Sequence, residues 1–104
     1  MLESIDLSAY LSPERMVDVE TIGKDALLNL LTDLIAKSDK VSDPAQMKKA
    51  IFAREKTIST GIGKGIAVPH ARTSAVADFV VAFARVRSGL DFDAVDKLPV
   101  KLIF

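Results

Sequence analysis

Six consecutive apolar residues, Phe79-Val80-Val81-Ala82-Phe83-Ala84, constrain the fold of this chain more than any other stretch. A strand with one wetted face alternates apolar and polar side chains, and this run has no polar face. It predicts a central strand covered on both sides, continuing through Val86 while Arg85 and Arg87 leave the core. The covering elements are legible too. Leu27, Leu30, Leu31 and Leu34 stand at i, i+3, i+4 and i+7, with Leu28 and Ile35 widening the stripe. That spacing predicts an amphipathic helix ending near Lys37-Ser38, with Thr21 as its expected N-cap and Asp25 in its first turn. Ser42-Asp43-Pro44 opens a second helix, a capping residue followed by proline in the first turn. Ser12-Pro13-Glu14 reads as a turn, and shorter strands are expected at Met16, Val17 and Val19, at Ile66-Ala67-Val68, and over residues 100–104. Helices interleaved with non-alternating strands indicate an α/β layer fold. With 104 residues there is room for one core, hence a single domain over 1–104.

Composition narrows the function. Fourteen Lys and Arg balance fourteen Asp and Glu, so the chain lacks the basic surplus of a general nucleic-acid binder. The absence of cysteine removes disulfides, thiolate metal sites and a cysteine nucleophile. One histidine excludes a multi-histidine zinc site, so neither a metal nor a cofactor is expected. The first twenty residues show no basic segment followed by an apolar one, and the longest apolar run is far short of a membrane span. These features predict a soluble, cytoplasmic protein without membrane insertion. The charge is unevenly spread: residues 54–87 hold six basic and two acidic side chains, a local +4 that leaves −4 elsewhere. Chance accounts for such a block as readily as anion handling does.

Met47, Ala50 and Ile51 form the stripe of the second helix, and Arg54 is the next residue on it. A guanidinium there either meets an anionic partner or snorkels past the helix end. Then comes Thr57-Ile58-Ser59-Thr60-Gly61-Ile62-Gly63-Lys64-Gly65, whose alternate glycines break both periodicities. The backbone must bend there or come close to something. Pro69 forces Val68 into an extended conformation, which places His70 at a strand end. The loop is not a Walker A motif, because Gly65 stands where Ser or Thr must ligate magnesium. Nor is it a dinucleotide fingerprint, since Ile66 occupies the third glycine position, and no G-x-S-x-G is present. His70 is left as the only side chain suited to nucleophilic or proton-transfer work near neutral pH. A lone histidine is more often structural or merely exposed. The glycine loop, Pro69 and Arg72 around this one favour a role. A histidine that attacks phosphorus needs one exposed ring nitrogen, the other held by a hydrogen bond, and donors for the phosphoryl oxygens. Arg54, a hydroxyl from Ser59 or Thr60, and loop amides near Gly61 are the candidates.

Residues 54–71, with Arg54, then Ser59-Thr60-Gly61-Ile62-Gly63, then Gly65-Ile66-Ala67-Val68-Pro69-His70-Ala71, resemble the signature of one enzyme IIA type. It is the fructose/mannitol/nitrogen-regulatory (type 2) domain of the bacterial phosphoenolpyruvate-dependent phosphotransferase system. The resemblance continues through Phe92-Asp93-Ala94-Val95-Asp96 and Pro99-Val100, covering about Leu7 to Phe104. It implies a mixed β-sheet flanked by helices on both faces and a phosphotransferase that uses no cofactor. HPr would donate a phosphoryl group to Nε2 of His70, and an enzyme IIB domain would receive it for sugar uptake. In the nitrogen-regulatory type, the phosphorylation state of His70 would instead control binding to a regulatory protein, without sugar. Arg54 matches the family arginine that steadies the phosphoryl group; Ser59, Thr60 and Gly61 match the phosphoryl-binding loop. Arg72 lies outside the signature. The family domain continues past the strand that ends at Phe104. The resemblance therefore implies an incomplete C-terminus, and an apolar strand edge there would favour pairing with a second copy.

Overall fold

Helix α1, Lys24–Ile35, forms where the leucine spacing places it and buries Leu27, Leu28, Leu31, Thr32 and Leu34. The buried Thr32 hydroxyl donates to the carbonyls of Leu28 and Asn29 at 2.9 and 3.0 Å, so no polar atom is stranded. Its N-cap is Gly23 rather than Thr21: the first intrahelical acceptor is the Gly23 carbonyl, which receives Leu27 N–H at 2.9 Å. The helix closes at Ile35, and Lys37 and Ser38 follow in a tight turn, their N–H groups reaching Leu34 and Ile35 carbonyls. Helix α2, Pro44–Thr57, opens as the sequence predicts. The Asp43 carboxylate accepts Gln46 N–H at 3.1 Å, with Pro44 at the first helical position. Asp43→Ala should therefore cost about 0.5–2 kcal/mol; a shift in the urea midpoint at constant m-value checks this.

The computed structural model describes residues 9–104, so the N-terminal end of the expected domain and of the resemblance lies outside the described residues. A 3-10 turn at Pro13–Arg15 leads into five strands: β1 Met16–Val19, β2 Gly61–Gly63, β3 Ile66–Ala67, β4 Phe83–Leu90 and β5 Val100–Ile103. They form one sheet in the order β1-β4-β5-β3-β2. β1 runs parallel to β4 and β3 parallel to β5, while β4/β5 and β2/β3 are antiparallel. The mixed sheet is the expected one, but among the described residues both helices pack on the face that carries Ala84 and Val86, whereas helices were expected on both faces. Among the described residues both helices feed one core, in which Leu27, Leu28, Val86, Phe92, Val100 and Ile103 are fully buried.

The apolar run behaves differently from its expectation. The strand starts only at Phe83 and runs past the expected end to Leu90. Ahead of it, Ala77 N–H donates to Lys40 O and Val81 N–H to Tyr10 O, and the Phe79 ring stands edge-on to Tyr10 at 5.6 Å. Those contacts hold residues 79–82 outside the ladder, with Phe79 69% exposed. Within β4, Ala84 and Val86 point inward and Arg85 and Arg87 outward, so one face is wetted rather than both being covered. The C-terminal strand is also not an edge. β5 lies between β4 and β3, and Phe104 N–H continues the pairing to Ala67 O at 3.1 Å. The basis for pairing a second copy through that edge is therefore removed, because its backbone groups are already satisfied from both sides.

On the wetted face Asp18 of β1 is the register partner of Arg85, and its carboxylate accepts from both Arg85 and Arg87. Hydrogen bonds from Arg87 first, then Arg85, hold it well below the usual carboxylate range. A pKa depressed in the folded state adds stability above the unfolded value of about 3.9, and that contribution fades as pH falls through the folded value. The pair is exposed and salt-screened, so the effect is modest. The stability gap between the native chain and Asp18→Asn should be largest near neutral pH and low salt and shrink on acidification. Urea titrations at several pH values check this.

Candidate functional site

The glycine segment does both things its composition allows. Gly61–Gly63 forms β2, an irregular hairpin partner of β3, whereas alternate glycines had argued against any regular element. The hairpin turns at Gly63, Lys64 and Gly65, all with positive φ (98°, 58° and 79°). At Gly61 the reason for glycine is close approach: a Cβ there would sit 2.8 Å from Cα and Cβ of Ala94. The Asp96 carboxylate braces the turn, accepting Lys64 N–H at 2.9 Å and Leu98 N–H at 3.1 Å. Those bonds, the one from Lys64 first, lower its pKa.

His70 follows β3 and Pro69 and is exposed. Its Nδ1 lies 2.8 Å from the Val68 carbonyl oxygen. A carbonyl can only accept, so Nδ1 carries the proton and the neutral ring keeps a lone pair on Nε2. Beside it opens a groove of about 800 Å³, lined by His70 and Arg72 together with apolar side chains that include Leu31, Met47, Phe79 and Phe104.

The other expected site residues are placed around the loop. Arg54 is half-buried in the last turn of α2, and its Nη1 donates to the Ile58 carbonyl at 2.9 Å. Of the two readings of this residue, the guanidinium reaches past the helix end. Its partner there is a carbonyl, not a carboxylate. The Ser59 hydroxyl donates to Phe92 O and accepts Gly61 N–H at 3.1 Å. Thr60 is buried, and both its N–H and its hydroxyl donate to Glu55. The polar groups of Ser59, Thr60 and Gly61 thus serve the loop itself in this structure. Among the described residues no hydrogen bond joins Arg54 to His70.

Sequence reasoning passed over Glu55 and Lys24. Glu55 is buried near the C-terminus of α2, where the helix dipole disfavours a negative charge, and Lys24 Nζ lies 3.1 Å from its carboxylate. That mismatch of charge and helix end was the available signal. Among the described residues no three His, Asp or Glu side chains gather as a metal site, and no helix is long and apolar enough to cross a membrane.

Comparison with known proteins identifies the family and relatives of this chain. The family model for the phosphoenolpyruvate-dependent sugar phosphotransferase system, EIIA 2, matches residues 11–104. The fructose-specific EIIA component of Haloferax volcanii is 37% identical over 105 residues, 99% of this chain and 68% of that protein. The fructose-specific EIIABC component of Bacillus subtilis is 36% identical over 88 residues, covering 85% of this chain. This chain spans only 14% of that protein's length. The crystal structure of nitrogen regulatory protein IIA-Ntr from Neisseria meningitidis superposes with a TM-score of 0.83 at 37% identity. It covers 94% of this chain and 67% of its own.

Proposed function

The chain belongs to the EIIA 2 family of the phosphoenolpyruvate-dependent sugar phosphotransferase system, and we propose that it carries a phosphoryl group on His70. The donor is histidine-phosphorylated HPr in the cytoplasm, and the recipient is an enzyme IIB domain that phosphorylates incoming sugar. The observation that carries this reading is the Nδ1–Val68 contact at an exposed ring. As the Nε2 lone pair forms its bond to phosphorus, the donor's N–P bond breaks, and Nδ1 keeps its proton on the Val68 carbonyl. The charge that develops on the ring is thereby met by a carbonyl dipole. Arg54 steadies the phosphoryl oxygens with its planar fork, and the Ser59 hydroxyl and Gly61 amide supply further donors once the group is loaded. Thr60 shapes the loop from behind.

A second reading is favoured by the likeness to IIA-Ntr. In it the same phosphohistidine adds negative charge that changes which regulatory protein docks, and no sugar is involved.

The test uses the native chain with enzyme I, HPr and labelled phosphoenolpyruvate. Acid-labile, base-stable label should appear on the chain; none appearing would sink the proposal. Adding an enzyme IIB domain then separates the readings, since label leaves for it under the first and stays under the second.

A further inference from the structure

A hydrogen-bonded chain runs from helix α1 through the interior to the exposed imidazole. Lys24 Nζ pairs with Glu55 Oε1 at 3.1 Å and stands 4.5 Å from the centroid of the Phe92 ring. The Glu55 carboxylate, only 4% exposed, accepts Thr60 N–H at Oε1 (3.1 Å) and the Thr60 hydroxyl at Oε2 (2.7 Å). The Thr60 carbonyl accepts Val68 N–H at 3.0 Å. The Val68 carbonyl accepts from His70 Nδ1 at 2.8 Å.

We propose that Glu55, paired with Lys24, is a positioning residue that sets the tautomer and aim of the His70 ring. A carboxylate that takes both the amide and the hydroxyl of one threonine fixes that residue's backbone and side-chain rotamer together. With Thr60 fixed, its carbonyl holds Val68, which is the last backbone donor before the histidine because Pro69 has no N–H. Val68 thus presents its carbonyl to the ring at a set angle. An unrestrained imidazole in water favours the proton on Nε2, the wrong nitrogen for attack through Nε2. The Val68 carbonyl reverses that preference, and the reversal is only as firm as the support behind Val68. A buried carboxylate is expensive to desolvate even beside the half-buried Lys24, and near the C-terminus of α2 it opposes the helix dipole. Helix formation alone does not ask for it. The positioning of catalysis rests on His70 being the phosphoryl acceptor; the tautomer itself does not.

Glu55→Met keeps roughly the size but removes both acceptor oxygens, so neither the Thr60 N–H and hydroxyl nor Lys24 keeps its partner. Nitrogen-15 NMR of His70 at about pH 8.5, where a free imidazole is neutral, reads the tautomer without any phosphoryl donor. The native ring should show Nδ1–H, and the variant should lose that preference. Phosphoryl transfer should slow on the order of tenfold to a hundredfold, by analogy with the loss of the hydrogen-bond partner behind a metal-bound histidine. A residue with only a structural role would lower the melting temperature and leave the tautomer untouched. Should Glu55→Met fail to fold, Thr60→Val removes just the hydroxyl link and should move the tautomer in the same direction by less. An unchanged Nδ1–H signal in a folded variant overturns the proposal. Failure of the native chain to accept label overturns the phosphoryl-carrier reading instead, and the tautomer measurement distinguishes the two.

Discussion

Replacing His70 with alanine is expected to remove all acid-labile label, not merely to slow its appearance. A covalent carrier has no residual route once its nucleophile is gone, unlike an enzyme whose binding groups still accelerate attack by water. The fold should survive, because the ring is exposed and its one hydrogen bond goes to a neighbouring carbonyl. Exposed substitutions of this kind typically change stability by within about 0.5 kcal/mol. The two measurements belong together: an unaltered thermal transition shows that lost labelling is chemical. Label persisting on His70→Ala would assign the phosphoryl group elsewhere.

Arg54→Ala is expected to slow phosphoryl transfer on the order of a hundredfold, the usual consequence of deleting one preorganised donor to developing charge. Arg54→Lys should recover only part of this, since an ammonium keeps the charge but not the planar fork. The residue also caps the end of α2 through the Ile58 carbonyl, so a stability loss on the order of 0.3–1 kcal/mol should accompany the change. Rates at saturating donor separate the effects, because a small loss of stability in a protein that remains folded leaves the chemical step alone. Transfer within about threefold of native in Arg54→Ala would remove the arginine from the site and leave it as a helix cap.

Much of the scaffold could be read locally. Asp43 and Pro44 start α2 because a short acceptor side chain and a proline suit the same four residues of backbone. The leucine spacing marks α1 because burial on one helical face leaves a period in the chain. The Thr21 expectation missed by two residues, since Gly23 caps with its backbone and leaves no side-chain signature. The strand expected from Phe79 failed for a reason no local pattern contains. Backbone bonds to Lys40 and Tyr10 compete for residues 77–81, and the sheet receives the chain only at Phe83.

His70 and its approach were legible for the same local reasons. Proline before it fixes the backbone, glycines free the loop, and no other side chain in the chain offers comparable chemistry near neutral pH. What tertiary structure alone decided is which atoms stand behind the histidine. Thr60 meets Val68 only because a hairpin folds residues 60–68 back on themselves, and Glu55 meets Lys24 only because two helices pack. Backbone dihedral preferences and face periodicity act over a few residues and are written in their order. The partner of a buried carboxylate is chosen by the whole packed interior.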